Sequence, residues 1–135
     1  MDLAPDFDEF IGSLIANEVE FVIVGAYALA FHGAPRYTGD IDILIRPTVD
    51  NARRALAAIA AFGLPINQLT SNDLIDTRRM LEMGVEPVQI HIMSSITGVT
   101  WDEAWASRVI GSFGSHEAPL IPTNLPKRSV TAATS

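Results

Sequence analysis

Cysteine is absent from the 135 residues, so neither a disulfide framework nor a thiolate metal site is available. Long apolar runs are missing too. The longest, Phe21 to Phe31, is interrupted by Gly25 and is far too short to span a bilayer. The opening stretch Met1-Asp2-Leu3-Ala4-Pro5-Asp6 is acidic where a secretory leader would be basic. Positive charge is scarce, with 9 Lys and Arg against 16 Asp and Glu and a formal net charge of −7. Such a surface is repelled by a phosphate backbone, which argues against broad nucleic-acid binding. A nucleotide remains compatible with it, because divalent ions screen a triphosphate from acidic ligands. Internal repeats and low-complexity tracts are also lacking. These absences lead to the expectation of a soluble, cytoplasmic protein with no membrane partner.

What is present suits a single domain over residues 1–135. Hydrophobic residues make up 48% of the chain, enough for a real core at this length. Asp6 followed by Glu9 resembles a capping box, and Phe7, Phe10, Ile11, Leu14 and Ile15 repeat at helical spacing, predicting a helix from Asp6 to Glu18. Val19 to Val24 reads as a buried strand. It ends at Gly25, after which Ala26 to Phe31 is helix-compatible and Gly33-Ala34-Pro35 is a break. Asp40 to Ile45 alternates as a strand, with Asp40, Asp42 and Leu44 on one face and Ile41, Ile43 and Ile45 on the other. Thr48 caps a helix with an apolar face of Val49, Ala52, Leu56 and Ile59, ended by Gly63. Leu64 to Asp76 is polar and carries no clear pattern. Arg78 to Met83 and Val88 to Met93 flank Gly84-Val85-Glu86-Pro87, predicting a hairpin with a four-residue connection. Trp101 to Arg108 reads as a short helix with both tryptophans on one side. Two weak strands follow Val109, and the stretch from Thr123 to Ser135 looks like the beginning of a helix. The fold class is mixed α/β (α+β), a short sheet flanked by helices.

Two carboxylates on one face of a buried-type strand are costly unless something neutralises them. Asp40 and Asp42 lie about 7 Å apart, from a rise of roughly 3.3 Å per residue. That spacing suits two oxygen donors converging on one hard cation, or on two cations sharing a ligand. Magnesium, or manganese, with a phosphate-bearing substrate is the match. The plain alternative is that Asp40 starts the strand and Asp42 faces solvent. About fifteen residues upstream, however, a buried strand stops at Gly25 and feeds a helix. A glycine there admits phosphate oxygens, and the helix start offers unpaired N–H donors. An anion site followed by a metal site supplies both halves of a holder for a metal–triphosphate.

The stretch Val22-Ile23-Val24-Gly25-Ala26-Tyr27-Ala28-Leu29-Ala30-Phe31-His32-Gly33, continuing Ala34-Pro35-Arg36-Tyr37-Thr38-Gly39-Asp40-Ile41-Asp42-Ile43, resembles the signature of nucleotidyltransferases of the DNA polymerase beta-like superfamily. Within it, the stretch is similar to the small bacterial group related to AbiEii-type toxins. The resemblance is specific over residues 19 to 46 and continues more loosely to Trp105. It implies the nucleotidyltransferase fold, Gly25 and Ala26 holding the triphosphate, and Asp40 and Asp42 binding the Mg2+ (or Mn2+) ions that align the phosphates. The reaction it implies transfers a nucleoside monophosphate from an NTP, ATP by preference, to an acceptor that the sequence does not name. Arg36 and Thr38, just before the aspartates, are placed to contact phosphate or are simply a surface arginine and a turn threonine. His32 is read as a helix-terminal structural residue.

The chain departs from that pattern in three places. The superfamily usually supplies a third carboxylate from a later strand, within an Ile-Asp-Ile-like segment, and here the stretch reads Gln89-Ile90-His91-Ile92-Met93. His91 is therefore expected to face the site. An imidazole can ligate manganese, zinc or nickel or act as a base, but adds no negative charge, so weaker magnesium binding is expected. Gly25-Ala26 replaces Gly-Gly or Gly-Ser. Leu125 to Ala132 resembles the start of a helix that relatives continue to a Lys-Asp pair, so the expectation is either a naturally minimal chain that borrows a partner or second subunit, or a tail truncated from about residue 123. Two functions follow from different classes: a metal-dependent nucleotidyltransferase, with a toxin–antitoxin role implied by the resemblance, or an inactive relative that binds a nucleotide, a second copy of itself or a protein partner.

Overall fold

The structure, a computed structural model, describes residues 5–25, 28, 40–64, 66–85 and 88–122. Its elements run α1 (Pro5–Ala16), β1 (Phe21–Val24), β2 (Asp40–Ile45), α2 (Val49–Phe62), α3 (Ser71–Ile75), β3 (Met80–Val85), β4 (Val88–Met93), α4 (Trp101–Ala106), β5 (Val109–Phe113) and β6 (His116–Leu120). Gly25 and Ala28 are also helical. The expected mixed α/β class is what is found: one six-stranded sheet in the order β3-β4-β2-β1-β6-β5, flanked by helices. Among the described residues no helix is long and apolar enough to cross a membrane.

Burial explains which strands occupy the middle of the sheet. β1 is buried along its whole length, as an uninterrupted apolar run must be to lie between neighbours. It pairs antiparallel with β2, and parallel with β6 through Ile23 and Leu120. β2 in turn runs parallel to β4, with Asp42 beside His91. Ile41, Ile43, Ile45, Ile90 and Ile92 are buried on the face that packs toward α1 and α2, where Phe10 and Phe62 meet edge-on at 5.3 Å. On the other face Leu44 is buried as well, toward α4. There Arg46 lies 5.8 Å from the Trp101 ring, Trp101 stacks on Trp105 at 5.2 Å, and Arg108 lies 3.8 Å from the Trp105 ring.

α2 has the ends the sequence predicts. Thr48 accepts a hydrogen bond from the Asn51 N–H, and Gly63 turns left-handed at φ 105° to close the last turn on Ala60. Its buried face differs from expectation. Val49 is exposed, while Asn51, Ala52, Ala55, Ala58 and Ile59 are buried. Asn51 is buried because it is bonded on every side. Its amide oxygen accepts from the Glu20 N–H at 2.8 Å, and its amide nitrogen donates to the carbonyls of Glu20 and Arg46 at 2.9 and 3.1 Å. One side chain thereby ties the start of α2 to the approach to β1 and the exit of β2.

Other boundaries moved. α1 begins at Pro5, a residue suited to a first helical position, so Asp6 lies within the first turn and is not the capping residue. The capping boxes are instead Thr70 with Asp73, which starts α3 in the stretch without clear pattern, and Thr100 with Glu103. The β3–β4 hairpin is tighter than expected: β3 continues through Gly84 to Val85, leaving two residues to connect it to Val88. α4 stops at Ala106, short of Arg108, and both strands expected after Val109 are present. Their hairpin is clamped to α1 by Asp8, whose carboxylate accepts from the Ser115 N–H at 2.9 Å and its hydroxyl at 2.8 Å. These bonds, the backbone one foremost, hold the Asp8 carboxyl below the usual carboxylate range. The expected C-terminal helix start, residues 123–135, lies outside the described residues.

Candidate functional site

The site is built where β1 ends and β2 begins. Their antiparallel pairing sets Val24 opposite Asp42, so Gly25, the next residue, arrives beside the Asp42 side chain. Gly25 sits at φ +73°, a left-handed conformation that side chains rarely adopt. An alanine Cβ there would lie 3.0 Å from Asp42 Cγ and 3.2 Å from its Cβ, with Oδ2 nearer still. Glycine is thus required twice: once by the backbone turn and once by the carboxylate packed against it.

Asp40 opens β2 and, by the strand alternation, shares a face with Asp42; both are half-buried. From β4, His91 comes to the same face, as its flanking apolar residues require, since Ile90 and Ile92 are in the core. His91 Nδ1 lies 2.9 Å from Asp42 Oδ1, and Nε2 lies 3.2 Å from Gln89 Oε1. A carboxylate only accepts, so Nδ1 carries the hydrogen of the first bond. The His91 and Asp42 side chains are 13% and 25% exposed, shielded enough to be held in place and open enough to be reached.

Four of the residues expected from sequence therefore meet: Gly25, Asp40, Asp42 and His91. Ala26, Arg36, Thr38 and His32 lie outside the described residues. Gln89 and Glu82 were not anticipated. Strands ending at Met83 and starting at Val88 would set Glu82 opposite Gln89, whereas the tighter hairpin sets it opposite His91. The one signal for Gln89 was its place two residues before His91, on the same face of the strand.

The donor set fits a hard divalent cation of the magnesium kind. Among the described residues, no three His, Cys, Asp or Glu side chains form a ready-made cage. Magnesium does not need one: it is commonly held by one or two carboxylates plus substrate phosphate oxygens and water. Asp40 and Asp42 supply the carboxylates.

Comparison with known proteins adds the fold. No protein-family profile matches the sequence, and no curated protein matches it. Among solved structures, one named as a "putative nucleotidyltransferase" from Thermotoga maritima is similar over 93% of this chain and 80% of its own. The TM-score is 0.63 and the sequence identity 15%, a likeness of fold. The nucleotidyltransferase-like fold expected from the β1–β2 residues is the one observed.

Proposed function

We propose that the chain transfers a nucleoside monophosphate from a nucleoside triphosphate, ATP by preference, to an acceptor hydroxyl, with release of pyrophosphate. The observation that carries this reading is the packing of Gly25, at the end of β1, directly against the carboxylate of Asp42 in the Asp-x-Asp pair of β2. The likeness in fold to the Thermotoga protein supports it. Within that class, the residues from Val22 to Ile43 favour the group related to AbiEii-type toxins, and with it a toxin–antitoxin role.

In this reading the backbone at Gly25 and Ala26 holds the triphosphate, helped by Arg36 and Thr38. Asp40 and Asp42 would hold Mg2+ or Mn2+, whose chemistry there would be neutralisation of charge on the phosphates. His91 keeps the Asp42 carboxylate in one orientation through the 2.9 Å contact, and its Nε2 could take a proton from an acceptor hydroxyl only once released from the Gln89 oxygen at 3.2 Å. Positioning and charge neutralisation supply the rate enhancement, since no covalent intermediate is required.

A second reading has its own observation. Because His91, and not a carboxylate, neighbours Asp42, the chain would bind nucleotide or a protein partner without turnover. One experiment separates the two: thermal unfolding with each of ATP, GTP, CTP and UTP, with Mg2+ or Mn2+, on wild type and Asp42→Asn, together with a pyrophosphate-release assay. Binding at a hundredfold excess over Kd stabilises by about 2.7 kcal/mol. A divalent-dependent shift that vanishes in Asp42→Asn, with pyrophosphate release, is the expected result. A shift without release supports the second reading, and no shift with any pair refutes both as nucleotide sites.

A further inference from the structure

Both nitrogens of the His91 ring are engaged on one face of the sheet. His91 pairs with Asp42 of β2, and Gln89 precedes it by two residues on β4, so the three side chains share that face. Nδ1 meets Asp42 Oδ1 at 2.9 Å, and Nε2 meets Gln89 Oε1 at 3.2 Å. The ring is thus held from two sides, with only 13% of the His91 side chain exposed. The two oxygens of Asp42 are thereby divided. Oδ1 accepts the His91 hydrogen, while Oδ2 is the oxygen packed nearest Gly25 and accepts no hydrogen bond from any described residue.

One hydrogen bond to a carboxylate leaves an imidazole free to swing about it, and a second at the far nitrogen fixes the ring plane. The Gln89 amide suits that task because one end accepts and the other donates. Its Oε1 accepts from Nε2–H when the ring carries both hydrogens. The same amide turned over donates its NH2 to Nε2 when the only ring hydrogen is on Nδ1. In both cases the Nδ1 hydrogen stays on Asp42. A glutamate at this position would only accept, and it would set a like charge beside Asp40, with which Gln89 is paired. A neutral amide holds the ring without adding charge next to the aspartates.

Resting on the nucleotidyl-transfer reading of this site, we propose that Gln89 is a positioning residue that acts through His91: it fixes the imidazole so that Nδ1–H holds Asp42 Oδ1, leaving Oδ2 as the oxygen that Asp42 offers to a divalent ion. His91 then orients Asp42 and is not itself a ligand of the ion, since both of its nitrogens are committed.

The test has two readouts on wild type, Gln89→Met and Asp42→Asn. The first is the ring N–H resonance of His91 in ion-free, 15N-labelled protein, identified by its loss in His91→Gln. Wild type is expected to show an Nδ1–H protected from exchange with water, and Gln89→Met to lose it to exchange at the same pH. The second is Mn2+ binding, followed by the loss of the free-ion electron paramagnetic resonance signal. Gln89→Met is expected to weaken it on the order of tenfold. Its ion-free unfolding midpoint should stay near that of wild type, because Gln89 is half-buried and outside the core. The role of Gln89 is overturned if wild type lacks the protected resonance, if Gln89→Met keeps it, or if Gln89→Met binds Mn2+ as wild type does. Loss of Mn2+ binding in Asp42→Asn then leaves the metal-site reading standing. If wild type and Asp42→Asn bind Mn2+ alike, the reading of the site fails and the proposal falls with it.

Discussion

Replacing Gly25 by alanine tests the geometry of the site without assuming any ligand. The added methyl group faces two separate costs. Holding a non-glycine residue at φ +73° costs about 1–2 kcal/mol, part of which is returned because alanine narrows the unfolded ensemble. The new Cβ also meets the Asp42 carboxylate, 3.0 Å from Cγ, so that side chain must leave its rotamer and give up the 2.9 Å contact with His91. An off-rotamer side chain and a lost bond to a charged group are each worth about 1 kcal/mol. The net expectation is a loss of about 2–3 kcal/mol, which for a chain of this size is a fall in Tm of roughly 6–15 °C. Removing the obstacle separates the terms. In an Asp42→Ala background only the backbone cost and the 3.2 Å Cβ contact remain, and the contact is relieved by a shift of a few tenths of an ångström. Gly25→Ala should then cost about 1 kcal/mol, giving a coupling of about 1–2 kcal/mol in the four-variant cycle. Denaturant unfolding of the four proteins provides the numbers. A loss below about 0.5 kcal/mol, or an equal loss in both backgrounds, would refute the claim that Gly25 is required by Asp42.

Two more predictions concern the scaffold. Asn51→Ala removes three hydrogen bonds to Glu20 and Arg46 and leaves backbone groups to water that must enter beside α2; we expect a loss of about 2–4 kcal/mol, read by urea unfolding. Asp8 supplies pH dependence. Its carboxyl is lowered in the folded state, chiefly by the Ser115 N–H and then its hydroxyl, so the stability it contributes is present above its unfolded pKa of about 3.9 and is lost as pH falls through the lower folded value. Asp8→Asn should flatten the stability-versus-pH curve in that acid window, as read by denaturant unfolding at a series of pH values.

The parts of the fold legible in the sequence are those where one local rule decides. β2 was legible from Asp40 to Ile45 because Asp-Ile-Asp-Ile alternates with the period of a strand and Pro47 closes the segment. The ends of α2 were legible because Thr48 and Gly63 are chemically specific stops. α3 went unread although Thr70 and Asp73 carry a capping box, because five residues offer too few turns for an apolar stripe. The apolar face assigned to α2 failed at Val49 because the first turn lies outside the core, while Asn51 is buried for its hydrogen bonds and not its hydrophobicity. No pattern scan marks such a residue. At the site, His91 was placed correctly by the parity of its strand. Glu82 was not, because its position depends on a hairpin connection two residues shorter than the one expected from Gly84 to Pro87. A row across three strands is a property of pairing, and pairing between β2 and β4 joins residues 49 positions apart.

The stacked pair Trp101 and Trp105 has a practical consequence. These are the chain's two tryptophans, so all of its indole emission and the indole part of its near-ultraviolet dichroism originate from one ring-on-ring contact between the flanking arginines Arg46 and Arg108. Arg46 directly follows β2, at the opposite end of that strand from Asp40. The protein thus carries an intrinsic optical probe at one end of its central strand and the candidate site at the other. A ligand bound beside the aspartates that alters the dichroism of this pair acts at a distance through the paired strands β1 and β2, which makes that coupling observable in unlabelled protein.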